Sequence, residues 1–320
     1  MSVRFSSRLV LLLLRAFAGA IRILPSFAAY RLGQVIGLIG FAFGRKHRRL
    51  ALNNLRLAYG DEKTASERRA IALKAFINMG HNLVDFFRMR LLAKEDLSGF
   101  VEIDGLDHIE RALAEGRGAI LLTAHLGSWE LLAAVGACLG FRLTALVSSI
   151  GDPTVDEFMR TTRESCGYET LPKREASQVV TSRLKQNVLV GILSDLSPRS
   201  DAVPVEFFGR LAGATRGPAV FALRAGAPVI PGFTVRVGNG RKHKFIIEEP
   251  LTLIRTGDIS EDVARNTQLF QSVIERYVRR YPEQWLWMQK RWKIRSYLRR
   301  KLEKKRAREG AKSAKAQHEA

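Results

Sequence analysis

The sequence predicts an α/β protein with a mixed central sheet flanked by helices, a membrane-associated helix at the N-terminus and a basic helical tail at the C-terminus. Three observations carry this. From about residue 100 onward, short apolar runs of strand length alternate with runs of helical period, the pattern of strands joined by crossover helices. The first 43 residues hold two long apolar stretches separated at Pro25. Residues 290–320 carry 13 basic and 3 acidic side chains, close to half of a formal net charge of +21. The expected organisation is 1–48 as membrane-associated helices, 49–292 as the α/β domain and 293–320 as the tail.

Residues 9–14 are wholly apolar and 16–21 nearly so, while Arg8, Arg15 and Arg22 recur every seven residues with Arg4 on the same side. That is an apolar helix with one basic stripe, suited to lying in an anionic membrane surface. A span would set Arg15 near the bilayer centre at about 2.5–3.5 kcal/mol on insertion scales, unless the arginines snorkel. A cleaved signal peptide with small residues at 18–20 competes, although Arg15 interrupts its apolar core. A core helix with water-facing arginines is the third reading. Residues 27–43 are short and glycine-rich for a span, and Gly33 and Gly37, four apart, would let another helix approach closely. A basic cluster at 45–49 leads into a helix over 51–59. Residues 67–90 form another, with Ala70, Leu73, Ile77 and Val84 on one side. His47 and His81 read as structural or surface histidines.

The stretch 118–130, Gly-Ala-Ile-Leu-Leu-Thr-Ala-His-Leu-Gly-Ser-Trp-Glu, organises the rest. Residues 118–123 read as a buried strand, Ser128 as an N-cap, and 129–139 as a helix. His125 then ends a strand and Glu130 starts a helix, the junction where ligands bind in open α/β sheets. Inside one helix the two would lie about 140° apart and could not cooperate. With a turn at Gly127 both can face one mouth, beside free helix N–H groups that favour developing negative charge. Histidine, carboxylate and such donors are what hydroxyl-to-acyl transfer needs. A capping histidine at a strand end fits the same spacing.

Helices follow over 107–115, 154–165 (ending at Gly167) and 176–185, with strands over 142–149 and 188–193. The latter ends at Asp195. If the two strands are parallel neighbours, Asp195 meets His125 and fixes its tautomer; otherwise it caps the next turn. Arg163 offers a bidentate fork suited to phosphate, or is a solvated helix charge. Residues 203–209 form an edge-like strand, because Pro204 cannot donate to a ladder. Pro218 opens a helix that Gly226 ends, and 228–237 with 243–248 make a hairpin around 238–240. The helix over 262–281 stops at Pro282. Ile294, Leu298 and Leu302 lie four apart among basic residues, either an amphipathic tail for an anionic membrane or a solvated, partly disordered one.

The His-Leu-Gly-Ser-Trp-Glu run resembles the signature of the bacterial lipid A biosynthesis acyltransferases, with Ser128 where that family commonly has Asn. The basic–Ala–x–x–Asn–Leu run at 45–55, the Phe207-Phe208-Gly209 and 214–219 block, Pro282 to Trp287 and Arg291-Trp292 are similar to the same family, and Gln289 stands where it often has His. The resemblance implies a fatty acyl chain on acyl carrier protein as donor and a lipid A precursor as acceptor, at the cytoplasmic face of a bacterial inner membrane. His125, held by Glu130 or Asp195, would be the base, with N–H groups near Gly127 to Trp129 at the oxyanion and Arg163, Gly127 and Ser128 at the substrate. It implies no cofactor, only a thioester co-substrate, with coenzyme A as the alternative donor and another lysophospholipid or glycolipid as the alternative acceptor. The basic surface suits an acidic carrier protein and an anionic membrane. It would also suit a membrane-tethered nucleic-acid-binding protein, but the basic clusters lack stacking aromatics. There is no P-loop, no Gly-x-Ser-x-Gly elbow, no dinucleotide fingerprint and no zinc pattern. Cys138 and Cys166 make neither a disulfide framework nor a metal spacing, and read as two buried thiols in a reducing compartment.

Overall fold

The computed structural model describes residues 2–92, 97–198, 201–238 and 240–292, with side chains from residue 9 onward. Helices α1 (Ser2–Ile23), α2 (Ser26–Phe43), α3 (Arg45–Tyr59), α4 (Ala65–Arg88) and α5 (Leu97–Phe100) precede the alternating part. That part runs β1 (Val101–Asp104), α6 (Leu106–Ala114), β2 (Ala119–Thr123), α7 (Trp129–Cys138), β3 (Leu143–Val147), α8 (Pro153–Glu164), β4 (Glu169–Pro172), α9 (Ala176–Lys185) and β5 (Leu189–Leu193). It continues with β6 (Ala202–Phe207), β7 (Arg210–Thr215), α10 (Gly217–Ala225), β8 (Val229–Val237), β9 (Lys242–Ile247) and α11 (Ile259–Arg280).

The sheet order is β1-β9-β8-β2-β5-β3-β4. β8, β2, β5, β3 and β4 run parallel, β9 is antiparallel to β8, and β1 is parallel to β9, so the sheet is mixed as expected. β2 is central and every residue in it is buried, which is why it reads as an unbroken apolar run. Its alternate residues feed two cores. Ile120 and Leu122 pack in one with Leu184 of α9, Ala222 of α10 and Ile274 of α11. Ala119 and Leu121 pack in the other with Val84 of α4, Ile109 of α6 and Leu131 of α7.

Three strands were not anticipated. β1 and β4 have four residues each, too few to show a period. β7, with Gly213 and three alanine or threonine positions, reads as a turn but pairs antiparallel with β6 in a separate two-stranded sheet. Pro204 is tolerated there because β6 has a partner on one side only. The helix expected over 67–90 starts earlier, at a capping box in which the Thr64 hydroxyl accepts from the Glu67 amide and the Glu67 carboxylate accepts from the Thr64 amide.

The N-terminal helices correct one expectation. The Arg22 guanidinium does not belong to an open basic stripe, since its Nε donates to the Phe87 carbonyl at 2.9 Å; Arg15 is exposed. Among the described residues, α2 rather than α1 is the helix long and apolar enough to cross a membrane. Its glycines do what their spacing implies. A Cβ at Gly33 would lie 2.8 Å from the Gly80 carbonyl oxygen, and one at Gly37 would lie 2.5 Å from Ile77 Cα, so α2 sits backbone-to-backbone on α4. The tail with Ile294, Leu298 and Leu302, and the side chains of Arg4 and Arg8, lie outside the described residues.

Candidate active site

β2 and β5 are adjacent and parallel, with Thr123 opposite Leu193. Their carboxyl ends therefore deliver His125 and Asp195 to one edge. The His125 Nδ1 lies 2.8 Å from Asp195 Oδ1, and the His125 backbone N–H donates to Oδ2 at 3.1 Å. The Trp285 indole N–H donates to the same Oδ2 at 2.8 Å. Asp195 is fully buried. Burial alone would push its carboxyl up, but His125 and the hydrogen bonds from His125 and Trp285 hold it below the usual carboxylate range. An ionised Asp195 accepts a hydrogen bond from His125 Nδ1–H, which leaves Nε2 as the open nitrogen. The imidazole is 19% exposed, enough to be reached from outside. The Trp129 ring stands edge-on to it at 5.0 Å between centroids.

Glu130 does not hold His125. Both of its oxygens are taken by Arg163, Nε to Oε2 at 3.0 Å and Nη2 to Oε1 at 2.7 Å. The physical reason is the fork: a guanidinium from α8 matches a carboxylate at two points, and a helix-start glutamate projects toward α8 rather than back over the turn. Arg163 also lies over the Phe86 ring at 5.7 Å. Burial lowers the affinity of Arg163 for its proton, and Glu130 more than restores it. The two carboxylates expected as alternative partners of His125 thus divide, Asp195 on the histidine and Glu130 on the arginine.

Gly127 makes the turn between them. Its φ of +56° lies in the left-handed region, and a Cβ there would fall 2.0 Å from the Thr234 carbonyl oxygen of β8, so only glycine fits. The turn is zipped to the segment after α11: Gly127 N–H donates to Gln284 O at 3.0 Å, and Leu286 N–H to His125 O at 3.1 Å. Gly127 N–H is therefore committed and drops out of the expected oxyanion donors. The N–H groups of Ser128, Trp129 and Glu130 have no acceptor among the described residues. Ser128 occupies the N-cap position but does not cap: it is 1% exposed, and its hydroxyl is turned inward with no hydrogen-bond partner. The donors at the helix start stay open as a result.

Two supporting groups lay beyond sequence reasoning. Gln284 also bonds the Arg236 backbone in both directions, Arg236 N–H to Oε1 at 2.7 Å and Nε2–H to Arg236 O at 3.0 Å. Asn78 of α4 donates to Gln284 O at 3.1 Å and accepts from Arg236 Nε at 2.8 Å. Arg236 is ion-paired with buried Asp85, to which Tyr30 of α2 donates. A chain of buried polar groups thus joins α2 to the turn at Gly127. Lys173, just past β4, is the other. Lys173 is exposed as a whole, yet desolvation of its ammonium holds it below the usual range, and Asp195 works against that. The signal was a lysine at a strand end, too common to single out.

His81 lies edge-on to Tyr30 and His47 is exposed. Cys138 and Cys166 are free and half-buried rather than buried. No group of three or more metal-ligating side chains occurs among the described residues.

Residues 1–294 match the family described as bacterial lipid A biosynthesis acyltransferase. The chain is 30% identical over 197 residues to a phosphatidylinositol mannoside acyltransferase of Mycobacterium tuberculosis, covering 59% of this chain and 59% of that relative. It is 24% identical over 275 residues to the lipid A biosynthesis lauroyltransferase of Escherichia coli, covering 85% and 87%. It is 24% identical over 271 residues to a lipid A biosynthesis acyltransferase of Haemophilus influenzae, covering 83% of each.

Proposed function

The chain belongs to the bacterial lipid A biosynthesis acyltransferase family, and we propose that it is a membrane-bound O-acyltransferase moving a fatty acyl chain from an acyl carrier protein thioester to a hydroxyl of a lipid A precursor. The observation that carries the chemistry is the His125–Asp195 contact at 2.8 Å with Nε2 left open. Nε2 takes the proton of the acceptor hydroxyl. The oxygen forms a bond to the thioester carbonyl carbon, and the carbonyl oxygen becomes an oxyanion. The N–H groups of Ser128, Trp129 and Glu130, at the start of α7, are the donors for that charge. Collapse breaks the C–S bond, and the thiolate leaves with the proton from Nε2. Asp195 pairs with the imidazolium while it lasts. Arg163, with Nε and Nη2 committed to Glu130, serves the substrate through its remaining Nη1, as a hydrogen-bond donor to an oxygen.

Membrane association rests on the first two helices. Leu12, Leu13, Phe27, Ile39 and Phe43 are more than half exposed on them, beside the basic cluster at 45–49. With α1 and α2 each packed on α4 and α2 held there through Gly33 and Gly37, insertion of the exposed faces of both helices into the cytoplasmic face of the inner membrane accounts for the apolar exposure.

A second acceptor is favoured by one observation. A relative in the comparison is named for phosphatidylinositol mannoside rather than lipid A, so another glycolipid, with a carrier-protein or coenzyme A donor, is the alternative substrate for the same chemistry. The mechanism is tested by His125→Ala. It should abolish transfer and leave the thermal melt within a few degrees of the parent. Turnover retained by that variant would exclude His125 as the base.

A further inference from the structure

Arg291 is the group the site leaves unexplained. It is fully buried, yet among the described residues no carboxylate is in hydrogen-bond or ion-pair contact with it. Nη1 donates to the Gly213 carbonyl, Nη2 donates to Gln271 Oε1 at 2.7 Å, and the guanidinium lies 4.3 Å from the centre of the Phe207 ring. A buried charge without a counter-ion is costly, so its partner lies further off. Burial lowers its affinity for a proton, to a pKa of about 10, against the pull of Asp195 and Glu275. Glu275 is already satisfied by Arg279 at 2.8 Å and by the Phe208 N–H at 2.6 Å. Asp195 is the opposite case. It is fully buried, and its three hydrogen bonds come from His125 and Trp285, groups neutral before a proton arrives.

Two short paths join the pair. Gln271 Nε2–H donates to the Ser194 carbonyl at 2.9 Å, one residue from Asp195. Phe207, under the guanidinium, packs at 5.8 Å between centroids against Trp285, whose indole donates to Asp195. We propose that Arg291 is the counter-charge of the His125–Asp195 pair, a positioning residue that keeps Asp195 ionised across the Gln271 and Trp285 bridges and thereby sets how far into acid the enzyme can transfer an acyl group. This rests on the reading of His125 as the base. Among the described residues Lys173, beyond β4, is a further charged group that acts on Asp195, and Glu130, the carboxylate nearest His125 in sequence, is balanced by Arg163.

The test is the pH profile of transfer in Arg291→Met and Arg291→Lys, together with the pH midpoint for modification of His125 by diethyl pyrocarbonate, located by peptide mass spectrometry. Loss of the buried positive charge makes proton uptake at the pair easier. In Arg291→Met both the acidic limb and the labelling midpoint should move upward by about 0.5–1 pH unit, which is about a three- to tenfold further loss of rate on the acidic side. Arg291→Lys, which keeps the charge, should restore most of the shift, and Glu275→Gln should cause none. A purely structural role predicts a loss by one factor at all pH values, with both midpoints fixed and Lys no better than Met; that outcome overturns the proposal. If Arg291→Met does not fold, Arg291→Gln, which keeps an amide donor without the charge, carries the same test. The labelling midpoint does not depend on turnover, so it still reads the counter-charge if His125→Ala proves active and the acyl-transfer reading fails.

Discussion

Gly127→Ala is the perturbation for which the structure supports the fullest forecast. The residue is left-handed at φ +56°, which costs a non-glycine residue about 1–2 kcal/mol. The added Cβ would also stand 2.0 Å from the Thr234 carbonyl oxygen, an atom of the central sheet that cannot give way. The turn must move instead, and overpacking of this kind costs about 1–3 kcal/mol. The turn is pinned by the Gln284 carbonyl on its N–H side, so the displacement falls on Ser128 to Glu130. The combined cost is about 2–5 kcal/mol, a melt lowered by roughly 5–15 °C for a chain of this size. Moving the donors of the oxyanion by about 1 Å costs about 100-fold in transfer at temperatures where the variant is folded. Gly140→Ala is the control. It too has positive φ, +95°, but nothing lies within 4 Å of its Cβ position, so it should show the backbone cost with turnover unchanged. Calorimetry and transfer assays on both variants read the two effects separately. Gly127→Ala with the melt and the rate of Gly140→Ala would refute the claim that the sheet carbonyl fixes this turn.

Three further outcomes follow from the same geometry. Glu130→Ala and Arg163→Ala should each impair transfer, and the double variant should be little worse than either, with a coupling of about 1–3 kcal/mol in a double-mutant cycle; additive losses would mean that the ion pair is incidental. Burial pushes the Asp85 carboxyl up, while Arg236, His243 and Tyr30 pull it well below the usual carboxylate range. A depressed native value gives stability that is present above the unfolded pKa near 4 and is lost as pH falls below it. Asp85→Asn should therefore lower stability by about 3–5 kcal/mol at pH 7, where it strands Arg236, and in urea titrations the gap to the parent should begin to narrow only below about pH 4, with most of it still present at about pH 3. A Cβ at Gly80 would stand 2.0 Å from the Gly33 carbonyl oxygen, so Gly80→Ala should push α2 off α4, seen as faster proteolysis near residues 24–26 and a melt lower by several degrees.

The legible parts of the fold were those with local signals. The strand ending at His125 and the one ending at Asp195 show as apolar runs, and parallel pairing of neighbours then brings the two side chains together. Gly33 and Gly37 announced a close helix contact, though not that α4 supplies it. The illegible parts are pairings between distant residues. Nothing local says that Glu130 turns to Arg163, 33 positions on, or that Gln284 clasps the turn at Gly127. Arg236 and Arg291 look like ordinary surface charges until the sheet and the last segment enclose them. β1 and β4 are too short to show a period, and the small side chains of β7 carry no strand signal until β6 lies beside them. Ser128 illustrates a local rule overruled by packing, since a good N-cap residue is turned inward and leaves its helix start open.

The most direct test of the acyl-transfer account uses membranes containing the full chain, incubated with a radiolabelled acyl–acyl carrier protein thioester and a lipid A precursor, with products resolved by chromatography. One new, more acylated lipid A species is expected, and it should disappear in His125→Ala and in Asp195→Asn. Label appearing in another glycolipid would keep the chemistry and move the acceptor. No labelled lipid with any acceptor, from either a carrier-protein or a coenzyme A thioester, would contradict it.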